Sequence, residues 1–274
     1  MNKKSIKQNG LIFRAKEFRA FIRLETCLFI SAVGVSGYLL FNPISSILAP
    51  LFLTVFFATA AAYSYNNLTD RAEDRINNRR LNIFVANESR RAVFAMLAAG
   101  LFFSLFLTLP SLSLFLLSIP LIIAYSKFRV KEVLFAKNIY TGAVIGIAFL
   151  MGAASGGITA ETLSPLPLAF FFGFMLNMLG DIRGYEGDLA AGVKTLPVSI
   201  GLEPSKKVAH SFLLGFSVLI LLSRQSPFLL LVPFTFLMSF FLAFDMHKLA
   251  RASMLTSFVA FSTFLFINSM EGGI

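Results

Sequence analysis

The sequence predicts an all-α, polytopic membrane protein, and three observations carry that reading. First, of 274 residues 57% are hydrophobic and 14% charged, with a mean hydropathy of +0.77. A soluble domain is nearer about 45–50% apolar and about 25% charged. Second, the apolar residues gather in long continuous runs, and a spanning helix needs roughly 20 of them. Nine runs come close, at 18–41, 46–67, 91–109, 111–126, 137–158, 164–180, 207–224, 226–246 and 252–270. Third, the charges are partitioned. With the N-terminus and the loops after the even-numbered runs on one side, all of the 24 Lys and Arg except Arg224 lie on that side. The positive-inside rule makes it the cytoplasmic side of a multi-pass cell-membrane protein, with the C-terminus opposite. Helices are expected because barrel strands are much shorter than these runs.

Taken in order, residues 1–15 are polar and basic and are expected to form a surface arm. Residues 16–274 read as a single membrane domain, since no low-complexity or Pro/Ser-rich linker divides them. The first run is long and lacks a small-residue cleavage site, so it reads as a span and not a signal peptide. It holds Cys27, the sole cysteine, which reads as a small buried hydrophobe and excludes an internal disulfide. It also holds Glu25, a functional candidate as an ionisable group inside a span, with Arg19 or Arg23 as the bland ion-pair partner. The connection Asn42–Ser45 is so short that the first two runs must be antiparallel. The 33 Phe and absence of Trp supply apolar bulk without polar atoms to satisfy. The net charge of +10 is explained by topology and attraction to anionic lipid, so the bilayer is the expected partner and nucleic acid is not.

The second run ends in a charged stretch, NNLTDRAEDRINNRR, at 66–80. Asn66, Asp70 and Asp74 are spaced by four and share one helix face. The sixth run ends the same way: Asn177 and Asp181 repeat the spacing, and Asp188 lies seven further on. Asp188 shares the face only if the helix continues past Gly184 and Gly187, and otherwise lies on a turn. The two stripes fall on the same membrane side. Facing carboxylates at a membrane surface suit Mg²⁺, which takes one or two carboxylates and bridges to substrate phosphates. A diphosphate held there becomes a better leaving group. Arg71, Arg75, Arg79, Arg80, Lys127, Arg129 and Lys131 are candidates to complete the clamp. A long hydrocarbon tail on the diphosphate would lie between the helices, where Phe rings and Tyr125 offer π faces to a developing allylic cation. The bland reading of each stripe is a solvated helix end, with Asp70 and Asp74 paired to Arg71 or Arg75.

The spans and motifs together resemble the UbiA superfamily of intramembrane prenyltransferases. Its first motif, N-D-x-x-D-x-x-x-D, is matched by Asn66, Asp70 and Asp74, with Asn67 in place of the first Asp. Its second motif is matched by Asp181, Glu186-Gly187-Asp188, Gly192, Thr195-Leu196-Pro197-Val198 and Gly201, with Gly184 at the middle Asp position. The resemblance implies a nine-helix bundle around a central cavity, with two Mg²⁺ and chemistry on the cytoplasmic side. Asn66, Asp70, Asp74, Asp181 and Asp188 would hold the metals. The resemblance also implies diphosphate contacts from Arg79 and from Tyr125 with Lys127 or Lys131, and Asn177 is carried as a substrate contact. The family's Pro-rich stretch after the first motif appears here only as Asn77–Asn82.

The function expected is transfer of an isoprenyl group from a polyprenyl diphosphate, such as geranylgeranyl diphosphate, to a hydrophobic or aromatic acceptor. An ether-lipid acceptor (geranylgeranylglyceryl phosphate) and a quinone precursor both remain open. A transporter or scaffold is disfavoured, because the two motifs repeat in the same orientation and lie at the membrane surface. A CDP-alcohol phosphotransferase is disfavoured by the absence of D-x-x-D-G-x-x-A-R around Asp70. His210 and His247 are isolated and are not expected to be ligands.

Overall fold

The computed structural model describes residues 3–71, 82–86, 89–128, 130, 133–190, 192–222 and 226–271. Ten principal helices occupy them: α1 (Lys3–Ile22), α2 (Leu24–Leu39), α3 (Leu48–Thr69), α4 (Arg90–Ser104), α5 (Leu109–Lys127), α6 (Ala136–Ala153), α7 (Leu166–Arg183), α8 (Leu202–Leu222), α9 (Val232–Ala243) and α10 (His247–Met270). Among the described residues there is no strand.

Among the described residues, six helical stretches are long and apolar enough to cross a membrane, built on α3, α5, α6, α7, α8 and α10. A seventh arises if Ile12–Ile22 and Leu24–Leu39, bent by 50°, count as one span. The two other runs form shorter helices, Arg90–Ser104 and the apolar stretch Pro227–Ala243. Helix α1 runs without interruption through residue 15, so the basic arm is helical where it is described.

The break between α1 and α2 sits at Arg23, whose φ of 53° is left-handed. Two contacts from α3 hold it. The Arg23 guanidinium lies over the Tyr63 ring, 4.9 Å from its centroid. The Asn67 amide donates to the Phe21 carbonyl at 2.8 Å. Carbonyls left open at a helix end need such partners. This accounts for Asn67 where the family motif has Asp: a carboxylate is not a donor and would face that carbonyl unfavourably. Glu25 pairs with Arg19, whose Nε lies 2.6 Å away, and both side chains are exposed, which is the bland reading of Glu25. Cys27 is buried, as its surroundings in the sequence suggested.

The core forms where α2, α6 and α7 pack. A Cβ on Gly152 would lie 1.9 Å from the Gly34 carbonyl oxygen, so only glycine lets α6 approach α2 so closely. Small residues play this part in lipid, where van der Waals contact replaces the hydrophobic drive between helices. The α6–α7 pair is closed in the same way: a Cβ on Gly173 would lie 2.7 Å from Ile145, and one on Gly142 would lie 2.8 Å from the Phe170 carbonyl oxygen. The antiparallel pair therefore brings the N-terminus of α6 against the C-terminus of α7. That is how Lys137 and Asn138 come to face Asp181.

Candidate active site

The first motif closes α3. Asp70 caps the helix, its N–H donating to the Asn66 carbonyl at 2.9 Å. The Asn66 amide donates to Asp70 Oδ2 at 3.0 Å, so the i, i+4 pair bonds along its own helix. Both side chains are half-buried. Asp74, Arg79 and Lys131 lie outside the described residues, as do Arg75, Arg80 and Arg129.

The second motif closes α7 and is wired across helices. Asp181 is 5% exposed. Its Oδ1 accepts from Lys137 Nζ at 2.6 Å, and buried Asn138 also bonds to the carboxylate. Burying a carboxylate is costly unless it is paired and hydrogen-bonded, and α6 supplies both partners. Helix α7 ends at Arg183, and a short helix, Tyr185–Ala190, follows with Asp188 inside it. Asp188 thus stands on a new helix and not on a turn. The Asp188 N–H donates to the Gly184 carbonyl at 3.0 Å. A Cβ on Gly184 would sit 3.7 Å from Asp188 Oδ2, in ordinary contact with it. Gly192, at φ +66°, then turns the chain towards Thr195–Gly201.

Tyr125 links the halves. Its phenol lies within electrostatic reach of both Asp70 and Asp181, and Asp181 within that of Asp188. Its ring stacks on Tyr140 at 4.1 Å. Lys127 is exposed at the end of α5. Two donors at this rim have no hydrogen-bond partner although their atoms are buried: Asn177 Nδ2, one turn before Asp181, and Arg251 Nε, on α10. The Arg251 guanidinium is within electrostatic reach of Arg183 and Tyr63.

The structure therefore brings together Asn66, Asp70, Tyr125, Asn177, Asp181 and Asp188. Lys137, Asn138, Tyr140 and Arg251 join them without having been singled out in the sequence. In the sequence Lys137 and Arg251 read only as topology charges. A signal for both existed, since each lies at the edge of a long apolar run, where a cation has few solvated places to go.

Among the described residues, no three His, Cys, Asp or Glu side chains converge into a ready ligand cluster. The donor set nonetheless fits Mg²⁺. It consists of oxygen ligands only, and a hard cation needs one or two carboxylates when phosphate oxygens complete its shell. The two buried, unsatisfied N–H donors ask for an anionic acceptor, which a diphosphate supplies.

Comparison with known proteins agrees. A digeranylgeranylglyceryl phosphate synthase of Thermococcus gammatolerans is 29% identical over 206 residues, covering 72% of this chain and 74% of its own. The structure of a UbiA homolog from Archaeoglobus fulgidus bound to GPP and Mg²⁺ shares the fold at a TM-score of 0.74 and 19% identity, covering 92% of this chain and 99% of that one. The apo structure of a UbiA homolog from Aeropyrum pernix K1 superposes at a TM-score of 0.72 and 16% identity, covering 90% and 98%. The sequence model of the UbiA prenyltransferase family matches residues 26–270, and the chain belongs to that family.

Proposed function

We propose that the protein is an integral-membrane prenyltransferase that moves an isoprenyl group from a polyprenyl diphosphate to a lipophilic acceptor, releasing diphosphate in a Mg²⁺-dependent reaction. One observation carries the reading: carboxylates from the ends of α3 and α7 flank Tyr125, while the buried donors Asn177 Nδ2 and Arg251 Nε lack an acceptor. Bound Mg²⁺ would neutralise the diphosphate and stabilise it as leaving group. Asp70 and Asp188, with Asp74, offer carboxylates for it, and Asp181 shares its own with Lys137. Asn66 fixes the Asp70 carboxylate by the bond along α3. Asn177 and Arg251 would donate to diphosphate oxygens, the latter by a charge-assisted bond. Arg79, Lys127 and Lys131 are further candidates for the same oxygens. The stacked Tyr125 and Tyr140 present π faces to positive charge developing on the departing isoprenyl carbon.

The acceptor we infer is geranylgeranylglyceryl phosphate, supported by the name of the Thermococcus relative. In this reading residues 16–274 form one transmembrane domain of nine spans around a central cavity. The bent α1–α2 pair, α4 and the 227–243 helix cross along with the six long ones. The N-terminus and both motifs face the cytoplasm and the C-terminus faces the other side.

The test is diphosphate release from geranylgeranyl diphosphate by purified protein. It is run with and without Mg²⁺, against geranylgeranylglyceryl phosphate and against quinone precursors such as aromatic acids. Mg²⁺-dependent turnover with the glyceryl phosphate, lost in Asp70→Ala and Asp181→Ala, is expected. Turnover only with an aromatic acid would replace the acceptor. A folded protein that neither binds nor turns over any prenyl diphosphate would sink the reading.

A further inference from the structure

A second cavity lies away from the carboxylates. A cleft of about 760 Å³ opens between α3, α4 and α5. Tyr65 and Leu68 line it from α3, whereas Asn66 and Asp70 lie round on the other side of that helix. The cleft is therefore not the donor site but a separate recess behind the first motif.

Its chemistry is graded along the membrane normal. At the charged face stand Arg71 and Arg90, with Thr69 in the same wall. Deeper in, the walls are apolar, with Leu97 from α4 and Ile119 from α5. Among the described residues that line it, none is acidic. From Ala61 at the deep end to Thr69 near the surface, α3 rises about 12 Å at 1.5 Å per residue, and Arg71 lies just beyond. That is roughly half of a hydrocarbon core of about 30 Å, the depth of one leaflet. The outer wall is open to lipid, with Phe94 70% and Ile123 44% exposed.

We propose that this cleft is a binding site for one anionic phospholipid of the leaflet on the charged side. The phosphate would sit between Arg71 and Arg90 and one chain along the Leu97–Ile119 wall. Charge complementarity selects the occupant. A basic recess between spanning helices favours an anionic headgroup, because each Lys or Arg near the surface adds an attraction to it. A zwitterionic lipid fills the same apolar volume without that gain. Because the cleft backs onto the helix that carries Asn66 and Asp70, an occupied cleft also buttresses the first motif. The proposal rests on membrane placement and not on the donor or acceptor chemistry.

The protein has no Trp, so a single introduced indole reports locally. Phe94→Trp places one at the mouth of the cleft, and Leu214→Trp, 67% exposed on α8, serves as a reference outside it. Each variant is reconstituted in phosphatidylcholine vesicles. Brominated phosphatidylglycerol or brominated phosphatidylcholine is then titrated in as a quencher. The expected result is that phosphatidylglycerol quenches the Phe94→Trp indole at a roughly tenfold lower mole fraction than phosphatidylcholine does. The Leu214→Trp indole should show no such preference, and adding Arg90→Gln should abolish it at the cleft. Equal curves at both positions would overturn the proposal, as would a preference that survives Arg90→Gln. Competitive relief of quenching by geranylgeranyl diphosphate would overturn it too, by assigning the cleft to substrate. None of these readings depends on turnover, so a failed transferase assay leaves them intact.

Discussion

The ends of α3 and α7 carry the same Asn-x-x-x-Asp spacing in two different electrostatic settings. At α3 a bond runs along the helix itself: Asn66 donates to Asp70, and both remain half-buried. At α7 the bonds run across helices. Asp181 is buried and held by Lys137 from α6, while the Asn177 amide has no partner. The difference teaches that helix periodicity fixes where a polar stripe lies but not how it is satisfied. The half-buried stripe carries a bond along its own helix. One sealed by close glycine packing must import a counter-charge, and here that charge sits where it also limits what else Asp181 can bind.

The sharpest way to break the comparison is to neutralise each aspartate and read activity beside stability. Asp70→Asn and Asp181→Asn should each lower prenyl transfer by about 10²–10³-fold, since metal-borne charge stabilisation amounts to several kcal/mol. Their stabilities should part. Asp70→Asn, at a half-buried carboxylate, should lower the thermal midpoint less than Asp181→Asn, which takes from Lys137 its buried anion. With Lys137 29% exposed, that cost is discounted to about 1–2 kcal/mol. Equal midpoints would show that the α6–α7 pair is no more structural than the α3 pair.

A second and smaller effect separates the pair from the metal. Lys137→Met strands the buried carboxylate and should cost about 2–3 kcal/mol without Mg²⁺. Added Mg²⁺ should then raise the midpoint of Lys137→Met more than that of the unmodified protein, because the ion replaces the missing cation. A shift equal in both proteins would mean that Mg²⁺ does not reach Asp181. Arg251→Gln sharpens the same contrast from the diphosphate side. Losing a charge-assisted donor should weaken donor binding by about tenfold to a hundredfold, read as Kd, with little change in the midpoint.

Much of this was legible in the sequence, and the limits have physical causes. The helices and the charged face follow from run length and Lys/Arg placement, since lipid leaves the backbone little choice. The two motifs follow from spacing, since i and i+4 share a face in any helix. What spacing does not reveal is which residues of other helices meet a stripe. Lys137 and Arg251 were assigned to topology because their roles depend on how α6 and α10 pack against α7. Asn67 is a plainer case. It looked like a lapse from the family motif, and its role appears only once the break at Arg23 brings the Phe21 carbonyl within 2.8 Å. Asn67→Asp, which restores the family residue, should therefore lower stability by about 1–2 kcal/mol and raise no activity. A gain in transfer rate would show that the position belongs to the metal site after all.

The smallest expected effect lies far from either motif and tests whether importing a counter-charge is a general device on this face. Lys206 is 6% exposed near the start of α8, and it pairs with Glu203 at 2.5 Å and with Asp245 between α9 and α10. The arrangement mirrors that of Asp181 with the signs exchanged: a buried cation is satisfied by exposed anions. The Lys206 ammonium holds the Asp245 carboxyl below its ordinary value. A group whose folded pKa is depressed adds stability that is complete above its unfolded pKa, about 3.9 for Asp, and that fades as the pH falls through the lower folded value. The unmodified protein should thus lose part of its thermal midpoint below about pH 4, and Lys206→Met should flatten that part of the profile. Because Asp245 and Glu203 stay in water after the change, the loss at neutral pH should be smaller than for Lys137→Met. If Lys206→Met costs as much as Lys137→Met, the depth of the buried partner does not set the strength of these pairs. The contrast between the two ends would then have to come from backbone packing instead.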